Sequence, residues 1–131
     1  MKEKRNLGLW LDDLVAHFIE YRSERTIFEN VVSQYGIYQR ELQHDRRKKF
    51  KIAFNWLAEY FKNLKERIGK YDRVILFGPS KVKEMLYKQL RSDRNFSGLD
   101  IKVDSGSGSE KMSDKQMDDF VRNYFSKAGA H

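Results

Sequence analysis

The chain contains no cysteine. Disulfide bonds, thiol catalysis and zinc sites built on sulfur are therefore excluded. The sequence also has no apolar run near the roughly 18 residues that a membrane-spanning helix requires. Its charged N-terminus leads into only five mostly apolar residues before Asp12, fewer than the apolar region of a signal peptide contains. We therefore expect a cytoplasmic protein that makes no contact with a membrane.

The chain is rich in charged and aromatic side chains. Of its 131 residues, 34% are charged, 40% are hydrophobic and 14% are aromatic, and the net charge is +7. This hydrophobic content fills one compact core, so we expect a single domain across residues 1–131. The Ser-Gly repeat at 105–109 is expected to be a flexible loop of that domain, because too little chain follows it for a second one. Both termini, residues 1–5 and 127–131, are expected to be mobile.

The first part of the chain has the pattern of β-strands. Apolar residues alternate at 7–11 and 15–21, and a third run of β-branched and aromatic residues follows at 26–33. Two aspartates separate the first pair of runs, and the polar segment 22–25 separates the second pair. Short strands with short connections predict an antiparallel meander of three strands.

The pattern then changes to helices that alternate with strands. Apolar residues recur at three- and four-residue intervals from Phe50 to Ile68, which predicts a long helix. Residues 73–77 form a continuous apolar run, typical of a strand buried on both faces. A second helix follows, with the apolar face Val82, Met85, Leu86 and Leu90. After a strand at 99–103, the capping-box sequence at 113–116 begins a last helix.

The resulting element order is βββαβαβα. It predicts a mixed α/β protein of the ribonuclease-H-like class, with a five-stranded mixed sheet and helices on both faces. Nucleases of this architecture hold two divalent metals with clustered carboxylates. Here Asp12 and Asp13 come late, at the end of the first strand, and the fourth strand ends at Phe77 with no acid. Glu59, on the long helix, completes no such set, so we expect neither a metal nor a cofactor.

Positive charge is most concentrated from residue 40 to residue 51, here called the basic segment. This segment has six basic and two acidic side chains, so it holds +4 of the chain's net charge of +7. It joins the third predicted strand to the long helix. Such a concentration of charge predicts a contact surface for a polyanion. The alternative interpretation is a solvated outer helix face.

Other features carry weaker signals for chemistry. His17 lies in a strand pattern, where we expect a packed or half-exposed side chain. His44 lies in the basic segment, and no second histidine stands nearby in the sequence to build a metal site. Gly78-Pro79-Ser80 is interpreted as a tight strand-to-helix turn, with anion binding at the helix N-terminus as the alternative.

Four short segments and the basic entry to the long helix share one resemblance. The segments are Gly8-Leu9-Trp10-Leu11-Asp12, Ala16-His17-Phe18, Val74-Ile75-Leu76-Phe77-Gly78-Pro79 and Lys111-Met112-Ser113-Asp114-Lys115-Gln116-Met117. Together they resemble the central domain of archaeo-eukaryotic peptide chain release factors and its small bacterial relatives, described as translational machinery proteins. The resemblance rests on hydrophobic patterning and turn residues, and it implies the same ribonuclease-H-like fold.

The resemblance also implies a difference in activity. Release factors of this family carry a Gly-Gly-Gln tripeptide between the third strand and the long helix, and it promotes hydrolysis of peptidyl-tRNA in the ribosome. The matching segment here, residues 35–44, contains Gln39 and Gln43 but no Gly-Gly pair before either, so it lacks the backbone freedom of glycine. We therefore expect a noncatalytic RNA- or ribosome-associated domain, with ribosomal RNA or tRNA as its partner.

The residues expected to contact RNA lie in and just before the basic segment. They are Tyr38, Arg40, His44, Arg46, Arg47, Lys48, Lys49 and Lys51. The tyrosine would stack on an unpaired base, and the others would contact phosphates. Two alternatives stay open. One is a protein-interaction or homo-oligomeric module with no nucleic-acid role, and the other is a hydrolase that uses the loop around His44.

Overall fold

The computed structural model describes residues 4–12, 15–23, 25–32, 46–79, 81–104 and 112–129, and at 30–32, 46–56 and 127–129 the description covers the backbone alone. The strands within these ranges are β1 (Asn6–Leu11), β2 (Val15–Arg22), β3 (Arg25–Val32), β4 (Arg73–Phe77) and β5 (Asp100–Val103). The helices are α1 (Arg46–Ile68), α2 (Val82–Ser92) and α3 (Asp114–Gly129), with a short 3-10 turn at Arg94–Phe96. The predicted loop at 105–109 and the chain ends 1–3 and 130–131 lie outside the described residues.

The five strands form one mixed sheet in the order β3-β2-β1-β4-β5. β1 pairs antiparallel with β2, and β2 pairs antiparallel with β3, as in the predicted meander. β1 also pairs in parallel with β4, and β4 pairs in parallel with β5. The predicted fold class and element order are therefore confirmed.

One face of the sheet packs against α1 and α2. Leu7, Leu9 and Leu11 of β1 are fully buried on this face, because alternate residues of a strand share a face. Phe61 and Leu64 of α1 belong to the same apolar cluster. Their three-residue spacing places them on one side of the helix, as the periodicity predicts.

The opposite face of the sheet is covered by α3. Trp10 and Phe77 form a second apolar cluster there with Val121 of α3. The helix begins with the predicted capping box. The N–H of Ser113 donates to Oε1 of Gln116 at 2.8 Å, and the N–H of Gln116 donates to Oγ of Ser113 at 3.2 Å. Helices on both faces of the sheet are thus confirmed.

The predicted apolar face of α2 is wrong at one position. Met85 is 44% exposed, whereas Lys83 is buried. Lys83 lies at the start of the helix, and its Nζ donates to the carbonyl oxygen of Gly78 at 2.6 Å. Because this hydrogen bond satisfies a polar group away from water, a lysine is tolerated at this buried position, which the predicted apolar face does not include. In the described part of the chain, no helix is long and apolar enough to cross a membrane.

Candidate nucleic-acid interface

The parallel strands β1, β4 and β5 end at one edge of the sheet, here called the carboxyl edge. β3 ends at the same edge, because its last residue, Val32, pairs with Val15 at the start of antiparallel β2. The chain leads from β3, β4 and β5 into α1, α2 and α3 respectively. The strands that precede these helices therefore all end at the carboxyl edge, the side of an open α/β sheet where ligands bind.

α1 is longer than the sheet on which it packs. Its 23 residues form a helix of about 35 Å, whereas the six residues of β1 span about 20 Å. Near the end of α1, the guanidinium of Arg67 lies 5.4 Å from the ring centroid of Phe18. Phe18 pairs with Leu9, in the middle of β1. Since most of α1 precedes this contact, its first turns extend past the carboxyl edge.

Five of the predicted RNA-contacting residues lie in these first turns of α1. They are Arg46, Arg47, Lys48, Lys49 and Lys51. For them the structure gives a helical backbone, so the second half of the basic segment is the start of the helix. Tyr38, Arg40 and His44 lie outside the described residues, as does the loop of the hydrolase alternative. The first turn of α1 contains no acidic residue.

The turn from β4 into α2 packs directly against the end of β1. Gly78 has a φ of +122°, in the region that favours glycine. A Cβ at this position would lie 2.5 Å from the carbonyl oxygen of Leu11. The side chain of Lys83 also contacts the turn, because its Nζ donates to the carbonyl oxygen of Gly78. These contacts agree with the interpretation of this sequence as a tight strand-to-helix turn.

Two of the acidic residues considered for a metal site, Asp12 and Glu59, have described positions. Asp12 closes the β1–β2 turn, where its Oδ1 accepts the first N–H of β2 at 2.7 Å. Glu59 is exposed on α1, and Asp13 lies outside the described residues. His17 is half-buried, with its ring centroid 5.2 Å from that of Trp10. Among the residues with described positions, no group of three or more His, Asp or Glu could hold a metal ion.

A second charged surface lies between the C-terminal end of α1 and the strands β2 and β3. It is a groove of about 650 Å³, lined by three basic and three acidic side chains. Nη2 of Arg5 donates to Oε1 of Glu20 at 3.0 Å, and its guanidinium lies 4.9 Å from the ring centroid of Tyr71. Arg67 and Glu29 form an ion pair beside them. The charges of this groove balance, unlike those of the basic segment.

No local sequence pattern marks this groove, because its residues come from separate parts of the chain. Arg5 belongs to the N-terminal segment that was expected to be mobile. Besides its contact with Glu20, its backbone N–H donates to Oδ2 of Asp72 at 2.8 Å. Only the pairing of β1 with both β2 and β4 brings these residues together.

The alkaline titration of Tyr71 tests the contacts of this side chain in the groove. Burial, then the charge of Glu20 and a hydrogen bond to its carboxylate, raise the pKa of Tyr71 from 10.0 to about 12. The pKa of Tyr71 is raised in the folded state, so the protonated phenol contributes to the free energy of unfolding. This contribution is complete below pH 10 and is lost as the pH rises through about 12. Tyrosinate absorbance of the wild type should show a phenol titrating near pH 12 that Tyr71→Phe lacks. If the phenol removed by the substitution titrates near pH 10, both the burial of Tyr71 and its contact with Glu20 are contradicted.

Comparison with known proteins gives a likeness in structure alone. No family model matches the chain, and no curated protein sequence matches it. Pelota from Archaeoglobus fulgidus aligns with a TM-score of 0.53 and 10% identity over 98% of this chain and 36% of that chain. Dom34 from S. cerevisiae, a translation termination-like factor, aligns with a TM-score of 0.48 and 13% identity over 96% of this chain and 35% of that chain.

The archaeal translation termination factor aRF1 aligns with a TM-score of 0.48 and 14% identity over 97% of this chain and 40% of that chain. The chain thus spans between about a third and two-fifths of the length of these proteins. The likeness to Pelota shows a shared fold. The fold that the resemblance implies is therefore confirmed.

Proposed function

We propose that this protein is a noncatalytic RNA-binding domain that contacts ribosomal RNA or tRNA through the basic segment. The observation that carries the proposal is the start of α1, where the four basic residues Arg46-Arg47-Lys48-Lys49 stand in succession with no acid in the first turn. The helix dipole places partial positive charge at this end, so cations here cost about 0.3–1 kcal/mol each. An RNA phosphate would relieve that repulsion by neutralising both the side chains and the helix end.

The length of α1 supports this role. Its first turns extend past the carboxyl edge, so a nucleic-acid backbone would reach them without meeting the sheet. The preceding part of the segment adds Arg40 and His44 to the same connection. Contacts to phosphate provide affinity and orientation but do not select a base sequence. We therefore expect recognition of RNA shape and charge.

The resemblance to release-factor central domains supports a ribosomal setting and a cytoplasmic location. In those proteins, the connection between the third strand and the long helix enters the ribosome. This chain has the charge in that connection but no Gly-Gly pair, and the proposed role is therefore noncatalytic. Incubation with peptidyl-tRNA is expected to release no peptide. Release that depends on His44 would instead support a hydrolase.

RNA binding measured over a range of salt concentrations tests the proposal. Wild-type protein is expected to bind tRNA or a ribosomal RNA fragment with an affinity that falls steeply with salt, with a logarithmic slope of about −3 to −4 for about four phosphate contacts. Alanine at Arg46, Arg47, Lys48 and Lys49 removes those contacts. This variant should lose at least about tenfold in affinity at low salt, and most of the slope.

A matched control separates this surface from the overall charge of the chain. Alanine at Lys62, Lys88, Arg91 and Arg94 removes the same number of charges from exposed positions elsewhere. We expect this control variant to keep nearly all of the wild-type salt dependence. The proposal would be contradicted if both variants lost RNA affinity and salt dependence equally, or if the wild type did not bind RNA at low salt.

A further inference from the structure

β3 is the outermost strand on one side of the sheet. In the described part of the chain, no strand pairs with its outer side. Two large apolar residues are exposed on it, Ile27 at 55% and Phe28 at 38%. As neighbours in a strand, they lie on opposite faces of the sheet. An edge strand of this kind is a template for pairing with another chain.

The sequence of β3 contains neither of the two residue types that most often protect a sheet edge. Its sequence, Arg-Thr-Ile-Phe-Glu-Asn-Val-Val, has no lysine and no proline, the residues that most often block pairing at sheet edges. It is also eight residues long, whereas β5, at the other edge, has four. Pairing with another strand is therefore far easier at β3 than at β5.

The side chains of β3 complement those of a second copy of the same strand. On the face that packs against α1, Arg25, Ile27 and Glu29 alternate along the strand. If two copies pair antiparallel about an axis through Ile27, this residue faces itself and Arg25 faces Glu29 on both sides. On the other face, Thr26 faces Phe28. Opposite charges, and an aromatic beside a β-branched residue, are favourable cross-strand pairs.

The alternation of charged and apolar side chains along β3 also favours one register of this pairing. A pairing centred on Phe28 would place Ile27 opposite Glu29, and a pairing centred on Thr26 would place Arg25 opposite Ile27. Both lose the two charge pairs. The internal ion pair between Glu29 and Arg67 is compatible with the favoured register, because a carboxylate accepts several donors.

We propose that β3 pairs antiparallel with β3 of a second copy of this chain, in the register centred on Ile27. Two five-stranded sheets would then form one continuous sheet across a two-fold axis. The contact involves one strand from each chain, so it buries less than a stable interface of about 1,200–2,000 Å². We expect a dissociation constant on the order of 100 µM. This inference rests on the edge strand β3 alone and stands independently of RNA binding.

Charge reversal at two positions tests the pairing. In Arg25→Glu, residue 25 of each copy would face the Glu29 carboxylate of the other, and in Glu29→Arg two arginines would face each other. Either variant alone should associate at least about tenfold more weakly than the wild type. An equimolar mixture of the two restores opposite charges at both pairs. The mixture should therefore dimerise as the wild type does. Sedimentation of the full chain, at concentrations up to about 1 mM, measures this association tenfold above the expected dissociation constant.

Two further measurements exclude a loss of folding as the cause. Circular dichroism and thermal melting check that each variant is folded, and recovery in the mixture requires both to be folded. Arg67→Ala removes the internal partner of Glu29 and leaves the proposed interface unchanged, so it should dimerise like the wild type. A wild type that is monomeric at about 1 mM, or a mixture no more associated than its components, would overturn the proposal.

Discussion

Replacing Gly78 with alanine is expected to lower the free energy of unfolding by about 3–5 kcal/mol, because it adds backbone strain to overpacking. The φ of +122° is strained for any residue with a Cβ. The added atom would lie 2.5 Å from the carbonyl oxygen of Leu11 and 2.9 Å from its backbone nitrogen. These are backbone atoms of β1, so relief requires the strand to move away from β4. Equilibrium denaturation measures the loss.

Gly98→Ala is the matched control for this prediction. An added Cβ at Gly98 meets nothing within 4 Å. We expect its free energy of unfolding to change by less than about 0.5 kcal/mol. If the two alanine variants are equally stable, the close packing of the β4–α2 turn on β1 is refuted. A Gly78→Ala chain with no cooperative transition, beside a normal Gly98→Ala chain, would be the extreme form of the expected result.

Truncating Phe77 to alanine is expected to cost about 3–5 kcal/mol of stability, because it removes a fully buried aromatic side chain and leaves a cavity. Phe77 is 0% exposed at the end of β4. Its ring stacks on that of Phe120 of α3, with the centroids 4.3 Å apart. Loss of this contact weakens the attachment of α3 to the sheet. Denaturant titration followed by fluorescence and circular dichroism is the measurement.

Met85→Ala provides the comparison for Phe77. Met85 belongs to the predicted apolar face of α2 but is exposed, so its truncation should cost less than about 0.5 kcal/mol. From the sequence pattern alone, both side chains would be core residues. A large loss for Met85→Ala, or a small one for Phe77→Ala, would contradict the observed packing.

Most elements are readable from local pattern. The strand predicted at 73–77 is observed at Arg73–Phe77, because a continuous apolar run ends there at a glycine that breaks it. The capping box at 113–116 is observed with both of its hydrogen bonds, since all of its partners lie within three residues. The start of α1 at Arg46 is less readable. The apolar periodicity from Phe50 can be extended backward through Leu42, but the basic residues between them carry no apolar signal, so it does not fix where the helix begins.

The candidate site was predictable only in part. The sequence shows that positive charge is concentrated at the connection between the third strand and the long helix. It does not show that the first turns of α1 pass the carboxyl edge, because that depends on where the end of the helix packs against Phe18. It also does not show that Lys83 is buried, since its partner is the backbone of a turn.

The sequence by itself determined the order of the elements, the two-faced core and the position of the basic segment. Periodicity, capping and charge act over a few residues, so they are visible along the chain. Tertiary structure alone decided which strand lies at the exposed edge, and how Arg5, Glu20 and Tyr71 meet in a groove. These features depend on backbone pairing between distant segments, which no local pattern encodes.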